Sequence, residues 1–290
     1  MTHARTVEHV GPTVARMLLG AQLRRMRENA GITREEAGDV IRASGSKISR
    51  LELGRTGFKL RDVYDLLSLY GVHDDGDRAT SIALAQQANT PSWWRSYGDV
   101  LPAWFEPYLG MEQAARLIRC FDIQFVPSLL QTRDYARAVI RLAHSDAAQA
   151  ETNQRLVLRM RRQEMLDQPA PPQLWAIIDE SVLRRSIGGA ETMRGQIRHL
   201  IELSQRRHVT IQVLPFTAGG RPAGSGAVTL LRFAAENLPD VVYLELLSSA
   251  VYLDKSAETL PYRKVFNALA ADAQDPVAST ETLRARLNEL

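Results

Sequence analysis

Residues 33–55 constrain the fold more than any other part of the sequence, because they predict two short helices separated by a brief turn. Thr33 followed by Glu36 is the spacing of a capping box, which begins an α-helix by satisfying free backbone amides. Ser44 is placed to cap a second helix, and Gly54 is placed to end it. The segment therefore predicts a pair of short helices in close contact.

The residue types within this segment indicate what such a helix pair is for. Close crossing requires a small residue on the inner face of the first helix, and Gly38 supplies it. Short polar and basic side chains at the start of the second helix fit a DNA major groove about 12 Å wide. This combination is typical of a helix-turn-helix. The apolar residues expected to hold the second helix are Ala37, Ile41, Ile48 and Leu51.

Residues 13–72 resemble the phage-repressor-like, or Xre-type, helix-turn-helix family, which has a pattern of five helices. One position departs from the family, since Arg42 stands in the turn where the family usually has glycine. The resemblance rests on the pattern Thr33-x-x-Glu36 followed by Ser46-x-Ile48-Ser49-Arg50-x-Glu52-x-Gly54-Arg55.

The resemblance implies three roles for residues of the N-terminal part. The residues that would read base edges are Gly45, Ser46, Ser49 and Arg50. The residues that would hold the DNA backbone are Thr33, Arg34, Ser44, Lys47 and Arg55. The residues that would form a structural ion pair between the first and third helices are Arg27 and Glu52.

The positive charge of the chain is concentrated in the same region. Residues 11–61 contain eleven Lys or Arg and five Asp or Glu, a net charge of +6. The whole chain contains 36 Lys or Arg and 33 Asp or Glu, a net charge of +3, so the remainder is slightly acidic. A basic module attached to a larger acidic body favours a polyanion-binding unit joined to a domain with another role.

Helical periodicity and turn signals divide the chain into two folded parts. Residues 1–88 are predicted to form an all-α helix-turn-helix domain of five helices. Residues 89–108 are rich in aromatic residues and proline and form the predicted junction. Residues 109–290 are predicted to form a larger α+β regulatory and dimerisation domain with a small, mostly antiparallel sheet. The five helices are expected at about 13–29, 34–41, 45–53, 59–70 and 76–88.

The predicted α+β domain begins with helices and continues with β-rich runs. A glycine-rich loop at residues 218–226 is read either as a flexible hairpin connection or as a lid over a ligand. Strands are expected at 173–179, 209–214, 227–233, 241–247 and 250–253. Helices are expected at about 109–121, 131–144, 151–167, 180–186, 190–206, 256–272 and 279–289.

The sequence from about residue 90 to residue 285 is also similar to the WhiJ-like proteins, an actinobacterial group of Xre-type regulators. This similarity implies a developmental or antitoxin-like transcription factor that often works with a small partner protein. It implies no catalytic residues and names no ligand. The segments that carry it are Trp93-Trp94, Gln124–Tyr135, Arg162-Gln163, Asp179–Arg184, Val213–Phe216 and Val242–Glu245.

Two groups of side chains in the second part are candidates for a ligand or partner surface. The aromatic group either lines a small-molecule pocket or packs between the two domains, and we favour packing. The basic group shares one helix face, which either binds a phosphate, an acidic partner or DNA, or is solvated, and we favour solvation. The residues are Trp93, Trp94 and Trp104 in the first group, and Arg155, Arg159 and Arg162 in the second.

The remaining chemistry argues against catalysis. Cys120 is the single cysteine, which excludes a disulfide within the chain and a zinc site built from cysteines. The six histidines are scattered, and no Ser/His/Asp or Cys/His grouping has family-like spacing. We expect no enzyme, no metal and no cofactor. Since no apolar run approaches the roughly 18–20 residues that span a bilayer, we expect a cytoplasmic, nucleoid-associated protein without membrane contact.

These observations lead to the hypothesis of a sequence-specific transcriptional regulator that binds double-stranded DNA. A single module buries little DNA surface, so we expect a homodimer on a palindromic operator. The C-terminal domain would sense a small molecule or a small partner protein encoded nearby. One alternative is an antitoxin-type protein of a toxin–antitoxin pair, and another is a ligand-processing enzyme with an accessory DNA-binding head.

Overall fold

The structure, a computed structural model, describes residues 11–218, 226–235 and 238–290. It consists of two compact units, one helical and one built around a β-sheet. Most of the glycine-rich loop predicted at 218–226 lies outside the described residues, so neither interpretation of that loop is addressed.

In its described residues the helical unit contains six α-helices, because a helix after the junction also belongs to it. Its core is formed by residues of the first five helices, among them Leu19, Leu23, Ile48, Leu66 and Leu67. The helices are α1 (Pro12–Asn29), α2 (Arg34–Val40), α3 (Gly45–Glu52), α4 (Leu60–Leu69), α5 (Asp75–Ala88) and α6 (Glu106–Ala114).

The prediction of five helices for the N-terminal part is therefore wrong. The sixth helix packs closely on the first, since a Cβ atom at Gly110 of α6 would overlap the side chain of Thr13 of α1. Tyr108, Leu109 and Met111 of α6 are buried. Burial of these apolar side chains stabilises the unit in a way that the local pattern of residues 11–88 does not reveal.

The second unit surrounds a single six-stranded sheet with six α-helices in the described part of the chain. Its strands are β1 (Ala115–Asp122), β2 (Gln173–Asp179), β3 (Val209–Leu214), β4 (Val228–Phe233), β5 (Val241–Glu245) and β6 (Ala250–Leu253). Its helices are α7 (Arg133–Ala143), α8 (Gln149–Gln163), α9 (Glu180–Arg184), α10 (Ala190–Leu203), α11 (Ser256–Asp272) and α12 (Pro276–Glu289).

The sheet is mixed, which corrects the prediction of a small, mostly antiparallel sheet. Its strand order is β3-β2-β1-β4-β5-β6. The pairs β1–β2 and β2–β3 are parallel, whereas β1–β4, β4–β5 and β5–β6 are antiparallel. Cys120 in β1 lies opposite Ala176 of β2 on one side and Thr229 of β4 on the other. The first strand is therefore the point where the parallel and antiparallel halves meet.

The strand β1 lies where the sequence predicted a helix over residues 109–121. The helix ends at Ala114, and the strand begins at Ala115 without an intervening loop. Leucine, arginine and alanine in this segment favour helix when considered locally. Pairing with strands on both sides overrides that preference, because a central strand satisfies its backbone groups through both neighbours.

One face of the sheet packs against α11. Phe121, Leu230 and Val242 of the sheet share a buried apolar cluster with Phe266 and Leu269 of this helix. Since side chains alternate along a strand, the residues two positions away from these point to the same face. This arrangement places Arg119 and Arg232 on the face covered by α11.

Candidate nucleic-acid interface

The turn between α2 and α3 brings the two helices into direct contact. A Cβ atom at Gly38 would lie 2.5 Å from the carbonyl oxygen of Ala43, so this approach requires glycine. The Ala43 amide donates a hydrogen bond to the Gly38 carbonyl oxygen at 2.8 Å. Arg42 has a φ of +54°, in the left-handed region that favours glycine. Arg42 therefore adopts the glycine-like backbone shape of the turn at a cost in strain.

Replacing Arg42 with glycine is expected to stabilise the helical unit by about 1 kcal/mol, because a non-glycine residue in this region costs about that much. Urea unfolding of the full chain measures the change. Arg42→Ala is the matched control, since it removes the same charge and keeps the strain. Equal effects of the two variants would show that the backbone shape of the turn is not strained.

The start of each helix in the pair is fixed by a side-chain cap. The Thr33 hydroxyl accepts a hydrogen bond from the Glu36 amide at 3.2 Å, and the Glu36 carboxylate accepts one from the Thr33 amide at 2.8 Å. The latter bond lowers the pKa of Glu36 below its ordinary value. The Ser44 hydroxyl accepts from the Lys47 amide at 3.3 Å. These caps determine where α2 and α3 begin and thus which side chains α3 exposes.

Helix α3 has one buried face and one exposed face. Ile48 and Leu51 are 1% and 2% exposed and lie in the core of the helical unit. Ser46 and Arg50 are exposed on the other side, with Ser49 partly exposed between them. Among the described residues, Arg50 has no hydrogen-bond or ion-pair partner. Of the four residues predicted to read bases, Ser46 and Arg50 are thus exposed to solvent, whereas Gly45 and Ser49 are partly exposed.

The residues predicted to hold the DNA backbone fall into two groups. Thr33, Ser44 and Arg55 are exposed. Arg34 and Lys47 are instead engaged in ion pairs within the unit. The Arg34 Nε lies 3.2 Å from a carboxylate oxygen of Glu52, and the Lys47 Nζ lies 3.2 Å from a carboxylate oxygen of Asp62. A phosphate would therefore compete with carboxylates for these two side chains.

Arg27 and Glu52 form a buried ion pair that joins α1 to α3. The Arg27 Nε and Nη2 donate to the two carboxylate oxygens of Glu52 at 2.5 and 3.1 Å. The side chains are 8% and 2% exposed, and Arg27 Nη1 also donates to the Ile32 carbonyl oxygen at 2.8 Å. Hydrogen bonding to Glu52 raises the pKa of Arg27 above its ordinary value. This pair fixes the end of α3 against the first helix.

Two residues that shape this interface escaped the sequence analysis. A Cβ atom at Gly20 in α1 would lie 2.5 Å from the Leu51 carbonyl oxygen, so the glycine lets α1 approach α3. A glycine inside a helical pattern is a recognisable sign of such an approach. Asp62 in α4 pairs with Lys47, and no spacing in the sequence predicts that contact.

The three tryptophans of the aromatic stretch belong to two different units. Trp93 and Trp94, in the helical unit, form an edge-to-face pair with centroids 5.5 Å apart. The Trp93 indole nitrogen donates to the Gln113 side chain at 3.1 Å, and Trp94 is buried. Trp104 belongs to the sheet unit, where its carbonyl oxygen accepts from the Tyr252 hydroxyl at 2.7 Å.

The three arginines of α8 contact other residues of the sheet unit and are partly or fully buried, so they do not form the solvated face that we favoured. The Arg155 side chain donates to the Val100 carbonyl oxygen at 2.8 Å and pairs with Glu151 at 2.7 Å. Arg159 donates to the Gln131 side chain at 2.9 Å, and burial lowers the pKa of its guanidinium to about 10. Arg162 is 8% exposed and lies 5.1 Å from the centre of the Phe105 ring.

Comparison with known families assigns both parts of the chain. Residues 18–80 match a helix-turn-helix domain, and residues 105–285, more than half of the chain, match a domain of unknown function, DUF5753. The chain belongs to the DUF5753 family. No curated protein and no solved structure matches it. The helix-turn-helix match supports a DNA-binding transcription regulator. The finer WhiJ-like and Xre-type resemblances are not tested by these matches.

The DUF5753 match covers α6 and all six described strands, so the family region contains the entire sheet. Across the described ranges of this DUF5753 protein, no helix is long and apolar enough to cross a membrane. The same residues contain no group of three or more His, Cys, Asp or Glu side chains placed to hold a metal ion. Cys120 is buried in β1.

Proposed function

We propose that this DUF5753 protein is a sequence-specific transcriptional regulator that reads double-stranded DNA with α3. The observation that carries the proposal is the two-sided character of this helix. Its Ile48 and Leu51 side is buried in the core, whereas Ser46 and Arg50 are presented outward from a helix whose start is capped. A helix held in this way and presenting short polar and basic side chains suits the major groove.

The charge of the helical unit supports the same function. The excess of basic over acidic residues in residues 11–61 attracts the phosphate backbone and accelerates encounter with DNA. The exposed residues Ser44 and Arg55 flank α3 at its two ends, and Thr33 is exposed at the start of α2, where backbone contacts would fix the orientation of the helix pair. The protein would act in the cytoplasm at the chromosome, as a binding protein and not as an enzyme.

The regulator would bind as a homodimer to a palindromic operator, because one small module buries too little DNA surface for useful affinity. The test is selection of bound sequences from random duplex DNA by the full chain. We expect enrichment of an inverted repeat with half-site centres about 34–36 Å apart, or a multiple of that spacing. Recovery of unenriched random sequence would contradict sequence-specific binding.

Light scattering of the full chain is expected to give twice the 32.4 kDa mass of one chain at micromolar concentration. A monomer under these conditions would contradict the homodimer while leaving DNA binding by a single head open to the selection experiment. Co-purification with a small protein encoded nearby, together with loss of DNA selection, would instead favour the antitoxin-type alternative.

A further inference from the structure

A polar pocket lies in the sheet unit where the end of β4 and the residue before β5 face α11. Its volume is about 350 Å³, within the range of small-molecule sites. Five of the six residues that line it are polar or charged, which favours a hydrophilic occupant. The lining residues are Arg232, Asp240, Ser256, Thr259, Leu260 and Arg263.

The charges of the pocket are unbalanced. Arg232 donates to both carboxylate oxygens of Asp240, at 3.0 Å each, in a forked arrangement. The Arg263 Nε lies 3.7 Å from one of the same oxygens. A single carboxylate is therefore shared by two guanidinium groups, whose side chains are 41% and 50% exposed. This leaves guanidinium donors available for another anion.

A third guanidinium lies buried beside these two. Arg119 of β1 is 7% exposed, and its Nη1 donates to the Asn267 side chain of α11 at 2.8 Å. Its Nε and Nη2 are buried and have no hydrogen-bond partner among the described residues. Buried donors without partners are costly, and each such group in a folded protein calls for an explanation.

The position of Arg119 relative to the pocket follows from the strand register. Arg119 lies opposite Leu230 and Arg232 lies opposite Leu117, so the two arginines are diagonal neighbours on one face of the sheet. Burial, and after it the positive charges of Arg232 and Arg263, lower the pKa of Arg119. No carboxylate among the described residues pairs with Arg119, so its positive charge adds to those of Arg232 and Arg263, which share Asp240.

Aromatic rings hold the Arg119 guanidinium in place. Its central carbon lies 4.5 Å from the centre of the Trp175 ring and 5.1 Å from that of Phe266. Stacking of this kind stabilises a cation and fixes its plane without using its N–H groups. The group is thus positioned with unused donors, which is an arrangement suited to a ligand rather than to the stability of the fold.

We propose that this pocket binds a small organic phosphate. Two guanidinium groups and one carboxylate line the pocket, and the neighbouring Arg119 guanidinium brings the local net charge to +2, which matches the dianion of a phosphate monoester. Guanidinium forks suit phosphate oxygens, and the hydroxyl of Ser256 provides a further donor at the start of α11. The remaining volume accommodates a polar organic part. The proposal does not depend on DNA binding.

The experiment titrates the full chain with inorganic phosphate and with glycerol 3-phosphate, and follows tryptophan fluorescence and melting temperature. We expect a saturable fluorescence change, lost in Trp175→Phe, because Trp175 stacks on Arg119. The melting temperature should rise with ligand concentration, since ligand binds only the folded state. Glycerol and the dicarboxylate succinate should produce neither change. A succinate response equal to that of glycerol 3-phosphate would overturn the assignment to phosphate.

Variants separate a binding role from a structural one. Arg263→Gln is expected to weaken glycerol 3-phosphate binding at least about tenfold, as expected for loss of a charged hydrogen bond. Lys264→Gln, which removes the neighbouring exposed charge on the same helix, should leave binding unchanged. Equal effects of the two variants would show that general charge attraction explains the binding, and would overturn the proposal.

Arg119→Met provides the second criterion. Methionine retains packing against Trp175 and Phe266 but removes the unpaired buried charge, so the melting temperature should be unchanged or higher. Binding of glycerol 3-phosphate should nevertheless be lost. A lower melting temperature with unchanged binding would show that Arg119 serves the fold alone.

Discussion

Replacing Glu52 with alanine is expected to lower the free energy of unfolding of the helical unit by about 3–5 kcal/mol. The physical reason is the fate of Arg27, which is 7% exposed and would lose its buried carboxylate partner, keeping only the half-exposed Glu28 at 3.4 Å. The Ile32 carbonyl oxygen would remain its acceptor, but a carbonyl does not balance a buried positive charge. The measurement is urea unfolding of the full chain, with the transition of α1 and α3 assigned by hydrogen exchange.

Two further variants test this explanation of the Glu52 effect. Arg34 also contacts Glu52 at 3.2 Å, but its side chain is 40% exposed, so Arg34→Ala should cost less than about 1 kcal/mol. The double variant Arg27→Met with Glu52→Leu removes both buried charges, and its stability should return toward that of the natural chain. A double variant as unstable as Glu52→Ala would show that the loss arises from packing and not from the unpaired charge.

Replacing Arg50 with alanine is expected to weaken binding to the selected operator by about 1–3 kcal/mol and to relax preference at one base pair. Arg50 is exposed on α3 and, among the described residues, has no partner that it would have to leave on binding DNA. A forked guanidinium can accept the geometry of a guanine edge, which an alanine cannot replace. Gel-shift titrations with the operator and with single-base variants measure both effects.

Arg50→Lys is the matched control for charge. It keeps the positive charge but lacks the planar fork, so binding to unrelated DNA should be retained while discrimination at that base pair falls. Lys47→Ala should weaken all sequences to a similar degree and reduce the dependence on salt. Its effect should be small, because Lys47 is already paired with Asp62 in the free protein. If Arg50→Ala changes neither affinity nor base preference, α3 is not the reading helix.

Local signals in the sequence were sufficient for the helix pair. The capping box at Thr33 and the cap at Ser44 fix α2 and α3 through contacts three residues apart. The small residue at Gly38 and the apolar residues of α3 likewise act within one short segment. These features can be predicted from the sequence because the residues that cause them are close together in the chain.

The sheet could not be predicted as well, because β1 owes its conformation to partners far along the chain. Leu117 and Ile118 pair with Gln173 and Leu174 on one side, and with residues of β4 on the other. Because the sequence analysis predicted a helix in place of β1, the predicted sheet lacked the parallel pair β1–β2. The two helices between β2 and β3 do indicate a parallel connection, since antiparallel neighbours need only a short turn.

The polar pocket could not be predicted from the sequence for a similar reason. Arg119, Arg232 and Arg263 come from two strands and a helix that lie far apart in the sequence. Their proximity depends on a strand register that joins β1 to β4. The arginines of α8 show the reverse case, since their regular spacing was recognised but their burial depends on Gln131 and Phe105.

The absence of a loop between α6 and β1 has a consequence for the order of events during synthesis. At Ala115 the chain passes directly from the last helix of one unit to the central strand of the other. That strand leaves the ribosome long before its neighbours at residues 173–179 and 228–233 exist. The helix pair α2 and α3 can thus fold early, whereas β1 stays unpaired until its partner strands are synthesised. Its unpaired edges make a nascent or truncated chain prone to aggregation.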